Sequence, residues 1–489
     1  MRVNGQILAG LTCAALTGLA IPASANAVTT PSAPAMTTVT TLRASTHQSR
    51  YDSWVTFTAR VTAPGRTPTG LVNFIDTSNG SVLDTARLRH GIARFVTAAL
   101  APGLRKLVAH YKGAGAGLFR PSASAVAQVR VGPSGSDALA YQIDTRHDGN
   151  QATGTLHARS LHRRWRVTLK ADSGSAIAGG QVSYPVVARG RVFVVVRSQP
   201  GFKSRLFALN GRTGKIEWSV PGAQSLAYDG RRVFGLRPGI LAVFAASSGR
   251  EIWSLQLPSP ALGATGLTAY DGVVYLAGGG MYAISEADGV IRWGQGVGPN
   301  GGSSPAVDRS GAYVSYFCQQ DYRINLAGHL VWVRPTFCSG FGSTPVLHGR
   351  FMYSRGQGPP DQPIILAKAT GKQVGTFQSD TAPAFGAADM FTLQNGRLVA
   401  VSPSGGASHW TFGDGSLILA PVVSGGTVFA ASSNGTVFGL SARLGTPIWK
   451  AKAGSAIAPP DQGALTIGMA IADGLLFVPA GPVLTAYGN

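Results

Sequence analysis

Leu206-Phe-Ala-Leu-Asn210-Gly-Arg-Thr-Gly214-Lys-Ile-Glu-Trp218 is the stretch on which the fold turns. A β-rich run meets a small polar turn, a glycine closes it, and a tryptophan stands four residues later. The grammar returns as Leu241-Ala-Val-Phe-Ala-Ala-Ser-Ser-Gly249-Arg-Glu-Ile-Trp253 and as Met281-Tyr-Ala-Ile-Ser-Glu-Ala-Asp-Gly289-Val-Ile-Arg-Trp293. It persists in Gly328-His-Leu-Val-Trp332, Gly406-Ala-Ser-His-Trp410 and Gly445-Thr-Pro-Ile-Trp449, with a looser first copy at Trp165. The intervals between these seven tryptophans are 53, 35, 40, 39, 78 and 39 residues. The long interval halves at a degenerate copy, Gly371-Lys-Gln-Val-Gly375, where Gly375 replaces the indole and Phe377 is placed to take over its packing. A period of about 40 residues denotes a propeller or a solenoid, whose units bury their apolar faces only against neighbours.

Further strands precede several copies, such as Arg191-Val-Phe-Val-Val-Val196, Gly272-Val-Val-Tyr-Leu276 and Thr427-Val-Phe-Ala-Ala431. Each unit therefore reads as one four-stranded blade, and the copies, with the degenerate one and Trp165, imply eight. The first tryptophan strand, Arg163-Arg-Trp165-Arg-Val-Thr-Leu169, lacks preceding strands, and the last strands, around Leu475 and Val483-Leu-Thr-Ala-Tyr487, lack a following one. The two ends are expected to complete one blade together, which removes the open edges of an array. Trp165, Trp218, Trp253, Trp293, Trp332, Trp410 and Trp449 are thus structural blade residues.

With Gly at 65 and Pro at 29 in 489 residues, the composition suits an all-β chain of short strands and tight turns. Arg2, the apolar run Ile7 to Ile21 and the small residues Ala23-Ser24-Ala25-Asn26-Ala27 read as a secretory signal over residues 1–27. Cys13 lies within the apolar run and does not fit a lipidation site. No later run is long enough to anchor the chain in a membrane. Removing the signal leaves Cys318 and Cys338, which in an exported protein are expected to form a disulfide.

A Thr/Pro/Ala linker (28–37) leads into 38–131, where Val55-Thr-Phe57-Thr-Ala59-Arg-Val61 and Leu71-Val-Asn-Phe74-Ile alternate with period two. Some seven short strands with Pro/Gly turns describe an immunoglobulin-like sandwich without inter-sheet cysteines. Its residues Gly70-Leu-Val-Asn-Phe74-Ile-Asp76, Gly91-Ile-Ala93-Arg-Phe95, Leu100-Ala-Pro-Gly103 and Ala109-His-Tyr111-Lys-Gly113 resemble the bacterial immunoglobulin-like repeats of surface proteins. That resemblance implies a spacer or adhesive module. His90 and His110 are expected as surface residues. Gly132-Pro-Ser-Gly-Ser136, uncharged and flexible, opens a linker over 132–140 and is expected to act as a hinge. The propeller occupies 141–489.

The pattern Ala-x-Asn/Ser-x-x-Thr/Ser-Gly-x-x-x-Trp over about 141–489 resembles the tryptophan-docking repeat of the pyrroloquinoline quinone (PQQ) propeller superfamily. That superfamily holds quinone-dependent dehydrogenases, an envelope lipoprotein that scaffolds outer-membrane protein assembly, and secreted members without known activity. The resemblance implies the fold but does not choose among these.

A calcium–quinone site needs clustered oxygen ligands and a positioned base. The chain has only three glutamates, Glu217, Glu251 and Glu286, each in a repeat turn before its tryptophan position and expected on the surface. Asp271, Asp308 and Asp473 stand singly in turns, with no sign of burial or pairing. His157 and His162 fall on opposite faces of a strand and do not share a metal. No nucleophile elbow, zinc motif or phosphate loop is present. The sequence assigns no catalytic, cofactor-binding or metal-ligating residue.

The formal charge is +21, and residues 36–132 alone hold twelve Lys/Arg against three Asp/Glu. Such a surface attracts polyanions, but stacking aromatics do not interleave with the charges, so specific nucleic-acid recognition is not expected. The sequence describes an immunoglobulin-like sandwich followed by an eight-bladed β-propeller, acting as a secreted, monomeric, non-catalytic scaffold of the envelope or extracellular space. Its expected partners are proteins or anionic envelope polymers. The alternative is a PQQ-dependent oxidoreductase using PQQ and calcium.

Overall fold

The computed structural model describes residues 34–489 except 115–116, 154–155, 157, 172–179, 198–203, 262–265, 298–302, 317–319, 336–340, 358–361 and 460–466. Cys318, Cys338 and His157 lie outside the described residues. Every extended element is a strand, apart from two short 3-10 turns at Ala158–Ser160 and Ser259–Ala261.

Residues 39–131 form two packed sheets. Val39–Ala44, Val55–Thr62 and Ile92–Thr97 make a three-stranded sheet. Leu71–Asp76, Val82–Arg87 and Gly103–Tyr111 join shorter strands in the second. The alternation seen in sequence is the burial pattern: Val55, Phe57, Ala59 and Val61 face a core shared with Val72, Phe74, Phe95, Leu107 and Tyr111. The sandwich adds short strands, at Gln48–Ser49 and Ser122–Ala123 among others, that the sequence pattern was too brief to declare.

After these, among the described residues, come eight sheets of four or five strands whose consecutive strands pair antiparallel, spanning roughly 181–221, 225–256, 266–295, 306–334, 346–376, 384–412, 422–452 and 470–488. His162–Thr168 pairs antiparallel with Val483–Gly488, with Trp165 opposite Ala486, so the outer strand of the last sheet comes from the start of the propeller. Together they form an all-β propeller whose hydrophobic clusters lie between neighbouring sheets, one running from Val187 and Leu209 through Val422 to Leu484.

The tryptophans are docking pegs. Each indole N–H donates to a backbone carbonyl in the turn of the next sheet: Trp165 to Gly211 (2.8 Å), Trp218 to Ala246 (3.0 Å), Trp253 to Glu286 (3.1 Å) and Trp293 to Leu326 (3.2 Å). Trp332 reaches Lys368 (2.9 Å), Trp410 Ala442 (3.0 Å) and Trp449 Leu161 (2.9 Å). The repeat glycine of that next turn is needed for two reasons at once. Gly214, for example, sits at φ +71°, and a Cβ there would lie 2.6 Å from the Trp165 ring.

The degenerate copy divides the tryptophan's two roles, with Phe377 taking the packing as expected and another residue the hydrogen bond. Phe377 is buried and packs edge-on against Tyr353 with centroids 5.6 Å apart. The lost hydrogen bond is made by Tyr353, whose hydroxyl donates to Pro403 O at 2.8 Å, the carbonyl three residues before Gly406. With Gly375 leaving room, the aromatic residue of the second strand takes over the peg. Tyr353→Phe is therefore expected to cost about 1 kcal/mol, the worth of one net hydrogen bond. A calorimetric melting temperature unchanged by this substitution would show the contact to be idle.

Candidate functional site

Residues 138–151 do not form a free linker. They run across the mouth of the propeller axis and hydrogen-bond to the inner strands of six of the sheets. Ala138 and Val187 exchange two backbone bonds (2.8 and 2.6 Å). Val307 N donates to Thr145 O (2.7 Å), Leu347 N to Arg146 O (2.8 Å), Phe385 N to Asp148 O (3.0 Å) and Val423 N to Gly149 O (2.8 Å). Gln151 Nε2 reaches Ile471 O (2.8 Å), and Asn150–Gln151 pairs parallel with Val423–Ser424. Inner strands converging on an axis present ladder groups with no partner of their own, and this segment supplies the partners.

The segment bends to do so. Gln142, Ile143, His147 and Gly149 all have φ between 53° and 77°. For the β-branched Ile143, at φ 77°, this is a costly conformation, held by Leu139 N donating to Ile143 O (2.7 Å) and by burial of the side chain. His147 is fully buried, burial lowers its pKa to about 4, and its neutral ring donates from Nδ1 to Pro345 O at 3.1 Å.

Polar side chains of the segment gather at the axis. Arg146 NH2 lies 2.6 Å from Asp144 Oδ2 and 3.3 Å from Asp148 Oδ2. Burial and the charge of Asp148 raise the Asp144 pKa to about 6 against the pull of Arg146. Burial alone would lower Arg146, but the two carboxylates hold it above its ordinary value. Beside them, Lys368 Nζ pairs with Asp308, whose other oxygen accepts from Ser310 N at 2.8 Å. Tyr51, Pro102, Tyr270 and Arg309 complete the wall of a cavity of about 490 Å³ between the sandwich and the propeller.

The sandwich is locked onto this face. Arg105, 2% exposed, pairs with Asp76 of the sandwich and with Asp271 of the propeller, which are 0% and 3% exposed. Ala101 N donates to Asp271 Oδ1 (2.9 Å), Tyr51 OH to Asp229 Oδ1 (2.9 Å) and Tyr228 OH to Asp52 Oδ2 (3.0 Å). Arg292 reaches Leu83 O (3.2 Å), and Arg231 lies 5.7 Å over the Trp54 ring. The hinge expected at 132–136 is thus overruled by a buried polar interface.

Three further expectations are corrected. Asp271 and Asp308 are not unpaired turn residues but ion-pair partners, as above. Glu286 is not on the surface: it is 1% exposed, and neither of its carboxylate oxygens has a hydrogen-bond partner among the described residues. Burial, then the neighbouring Asp229 charge, push its pKa well up, and burial raises Asp229 to about 7. Glu217 and Glu251 do lie at the surface side, paired with Arg191 and Arg237. His110 is half-buried opposite Asn73, and His90 stands exposed in a turn.

An acid whose folded pKa is raised stabilises the fold below its unfolded value, and that contribution is lost as pH rises through the folded one. Glu286→Gln is therefore expected to stabilise the fold at about pH 8, by on the order of 1–3 kcal/mol and with a higher melting temperature, and to leave it nearly unchanged at about pH 5. A melting curve series that gives equal shifts at both pH values would refute this.

The residues nearest the axis do not fit a calcium–quinone centre. Asp144 and Asp148 are bridged by Arg146, the segment fills the axial mouth, and among the described residues no three His, Cys, Asp or Glu side chains converge as metal ligands. Sequence reading missed these residues. A signal was present in the paired turns Tyr228-Asp229-Gly230 and Tyr270-Asp271-Gly272, acids repeated in phase in a chain holding only 21 Asp+Glu.

The family described as outer membrane protein assembly factor BamB matches residues 203–346 and 361–484, more than half of the chain. The bacterial Ig-like domain (group 3) matches residues 24–132. The outer membrane protein assembly factor BamB of Bordetella pertussis is 29% identical over 169 residues, covering 30% of this chain and 43% of that protein. The chain thus spans less than half the length of that curated relative. Among solved structures, the quinohemoprotein alcohol dehydrogenases of Comamonas testosteroni (TM-score 0.55, 12% identity) and Pseudomonas putida HK5 (0.57, 11%) each cover 72% of this chain and 80% of their own. BamB from Moraxella catarrhalis (0.49, 16%) covers 67% of this chain and 100% of its own. At these identities the two dehydrogenases show a shared fold alone. By its repeats and its matched span, the chain belongs to the outer membrane protein assembly factor BamB family of PQQ-like propellers, with a bacterial Ig-like domain ahead of the propeller.

Proposed function

We propose that the chain is an exported, non-catalytic scaffold of the cell envelope that binds a protein partner. Its eight sheets are read as eight blades of one ring, supported by the pairing of Trp165's strand with the last strand. Residues 1–27 are its signal, 38–131 its sandwich, 132–140 the connection and 141–489 its propeller, with Cys318 and Cys338 as a disulfide and one chain as the working unit. The observation that carries the reading is the occupied axis: the chain's own residues 138–151 take the inner-strand partners. The name of the Bordetella relative, an assembly factor, supports a protein partner. Arg146, Arg309 and Lys368, set beside Asp144 and Asp308, suit a polar segment of that partner entering the junction cavity. The charge of +21 supports an anionic envelope polymer as a second partner class. Among the described residues no helix is long and apolar enough to cross a membrane.

The test pairs two measurements on the mature protein. A defined envelope protein should be retained from solubilised envelopes by the native chain and lost with Arg309→Glu, an exposed cavity residue. Titration with PQQ and calcium should give no saturable heat. Saturable quinone binding with dye-linked alcohol oxidation would replace this reading by the oxidoreductase one.

A further inference from the structure

Docking changes the charge of the sandwich surface. Of its three acidic residues, Asp52 and Asp76 are buried at the junction, and Asp84 is half-buried facing Arg292 at 4.0 Å. Of its twelve cations only Arg105 is buried, and the other eleven are exposed. The solvated sandwich therefore presents cations with almost no compensating acid.

One face organises them. The outward residues of the three-stranded sheet are fixed by register: Arg43 lies opposite Thr58, and Thr58 opposite Arg94. The next row places Thr41 opposite Arg60, and Arg60 opposite Ile92. Strand spacing sets Arg43 and Arg94 about 10 Å apart, with a threonine hydroxyl between them. Arg43, Arg60 and Arg94 are all exposed, while the inward set of Phe57, Ala59, Ala93 and Phe95 is buried. The described hydrogen bonds and ion pairs to the propeller leave from other parts of the sandwich, namely Tyr51, Asp52, Leu83, Asp84, Thr85, Ala101 and Arg105.

We propose that this sheet face binds a linear polyol phosphate, a polymer whose phosphates alternate with hydroxyl-bearing carbons. Guanidinium forks take the phosphate oxygens in bidentate fashion. The threonine hydroxyls between them exchange hydrogen bonds with the polyol. Trp54, at the end of this face, lies under the Arg231 guanidinium of the propeller, and no aromatic side chain stands between the arginines for base stacking, which separates this ligand from single-stranded nucleic acid. The inference rests on the envelope location proposed above and names the anionic partner class and its surface.

The probe is poly(glycerol phosphate), titrated calorimetrically into the full mature chain at about 50 and about 300 mM salt, where each released counterion steepens the salt dependence. Arg43→Ser/Arg60→Ser/Arg94→Ser should weaken binding more than about tenfold and flatten the salt dependence. Arg159→Ser/Arg163→Ser/Arg443→Ser, removing equal charge from exposed propeller positions, should change affinity less than about threefold. Equal losses in both variants, or no binding by the native chain, overturn the proposal. Tighter binding to phosphatidylglycerol vesicles through the same arginines overturns it in favour of a bilayer. Because the readout uses purified protein, failure to capture a protein partner leaves it standing, and its own failure leaves the scaffold reading standing.

Discussion

Arg105→Met should uncouple the two domains and cost about 3–5 kcal/mol, the usual penalty for removing one partner of a buried ion pair. The methionine replaces much of the arginine stem, so the loss is chiefly that of charge. It leaves Asp76 and Asp271, both almost fully enclosed, facing each other without a cation. Burial holds the Asp271 pKa at about 6 even with Arg105 in place. Without Arg105 the Asp271 carboxyl loses the charge that pulls its pKa down and is driven further towards the protonated form. With the folded pKa of Asp271 above its unfolded value, the penalty is smallest under acidic conditions and grows as pH rises through about 6. Calorimetry should show one cooperative transition for the native chain and two for the variant, with protease cutting newly admitted between 132 and 137. A variant that melts in one transition at the native temperature at about pH 8 would mean the junction is held elsewhere.

Gly149→Ala should be nearly as damaging although it adds one methyl group. Gly149 sits at φ +65°, and the new Cβ would lie 2.7 Å from Ala384 Cβ and 3.1 Å from both Ala384 Cα and Pro421 O. Those are inner-strand atoms with nowhere to retreat, because Phe385 N and Val423 N are bonded to the flanking carbonyls of Asp148 and Gly149. Left-handed backbone and overpacking together should cost about 2–4 kcal/mol. Amide exchange at Phe385 and Val423 should accelerate ahead of exchange in the outer strands. Unchanged protection there would sink the idea that the axial segment staples the ring.

These two sites show where sequence reading stops. The tryptophan repeat was legible because each copy solves the same local problem, a glycine at positive φ under an indole, and repetition amplifies the signal. The sandwich was legible because half-buried strands alternate with period two. The degenerate copy was legible as a gap at Gly375, but its repair by Tyr353 was not. Tyr353 is two strands away, and only the register brings its hydroxyl to Pro403 O. Glu286 had the look of a surface turn residue, yet the turn itself is covered by Trp253 and by the Asp229 loop.

By itself, then, the sequence determined the all-β class, the repeat, the tryptophan pegs, the sandwich and the basic balance, since all depend on neighbours within a few residues or on composition. Tertiary structure alone decided that residues 138–151 occupy the axis and that the apparent hinge is immobilised. It also decided that acids scattered from Asp52 to Asp308 meet at one junction. The reason is physical: burial and ion pairing depend on distances between residues more than a hundred positions apart, as with Arg105 and Asp271, and no local pattern encodes those distances.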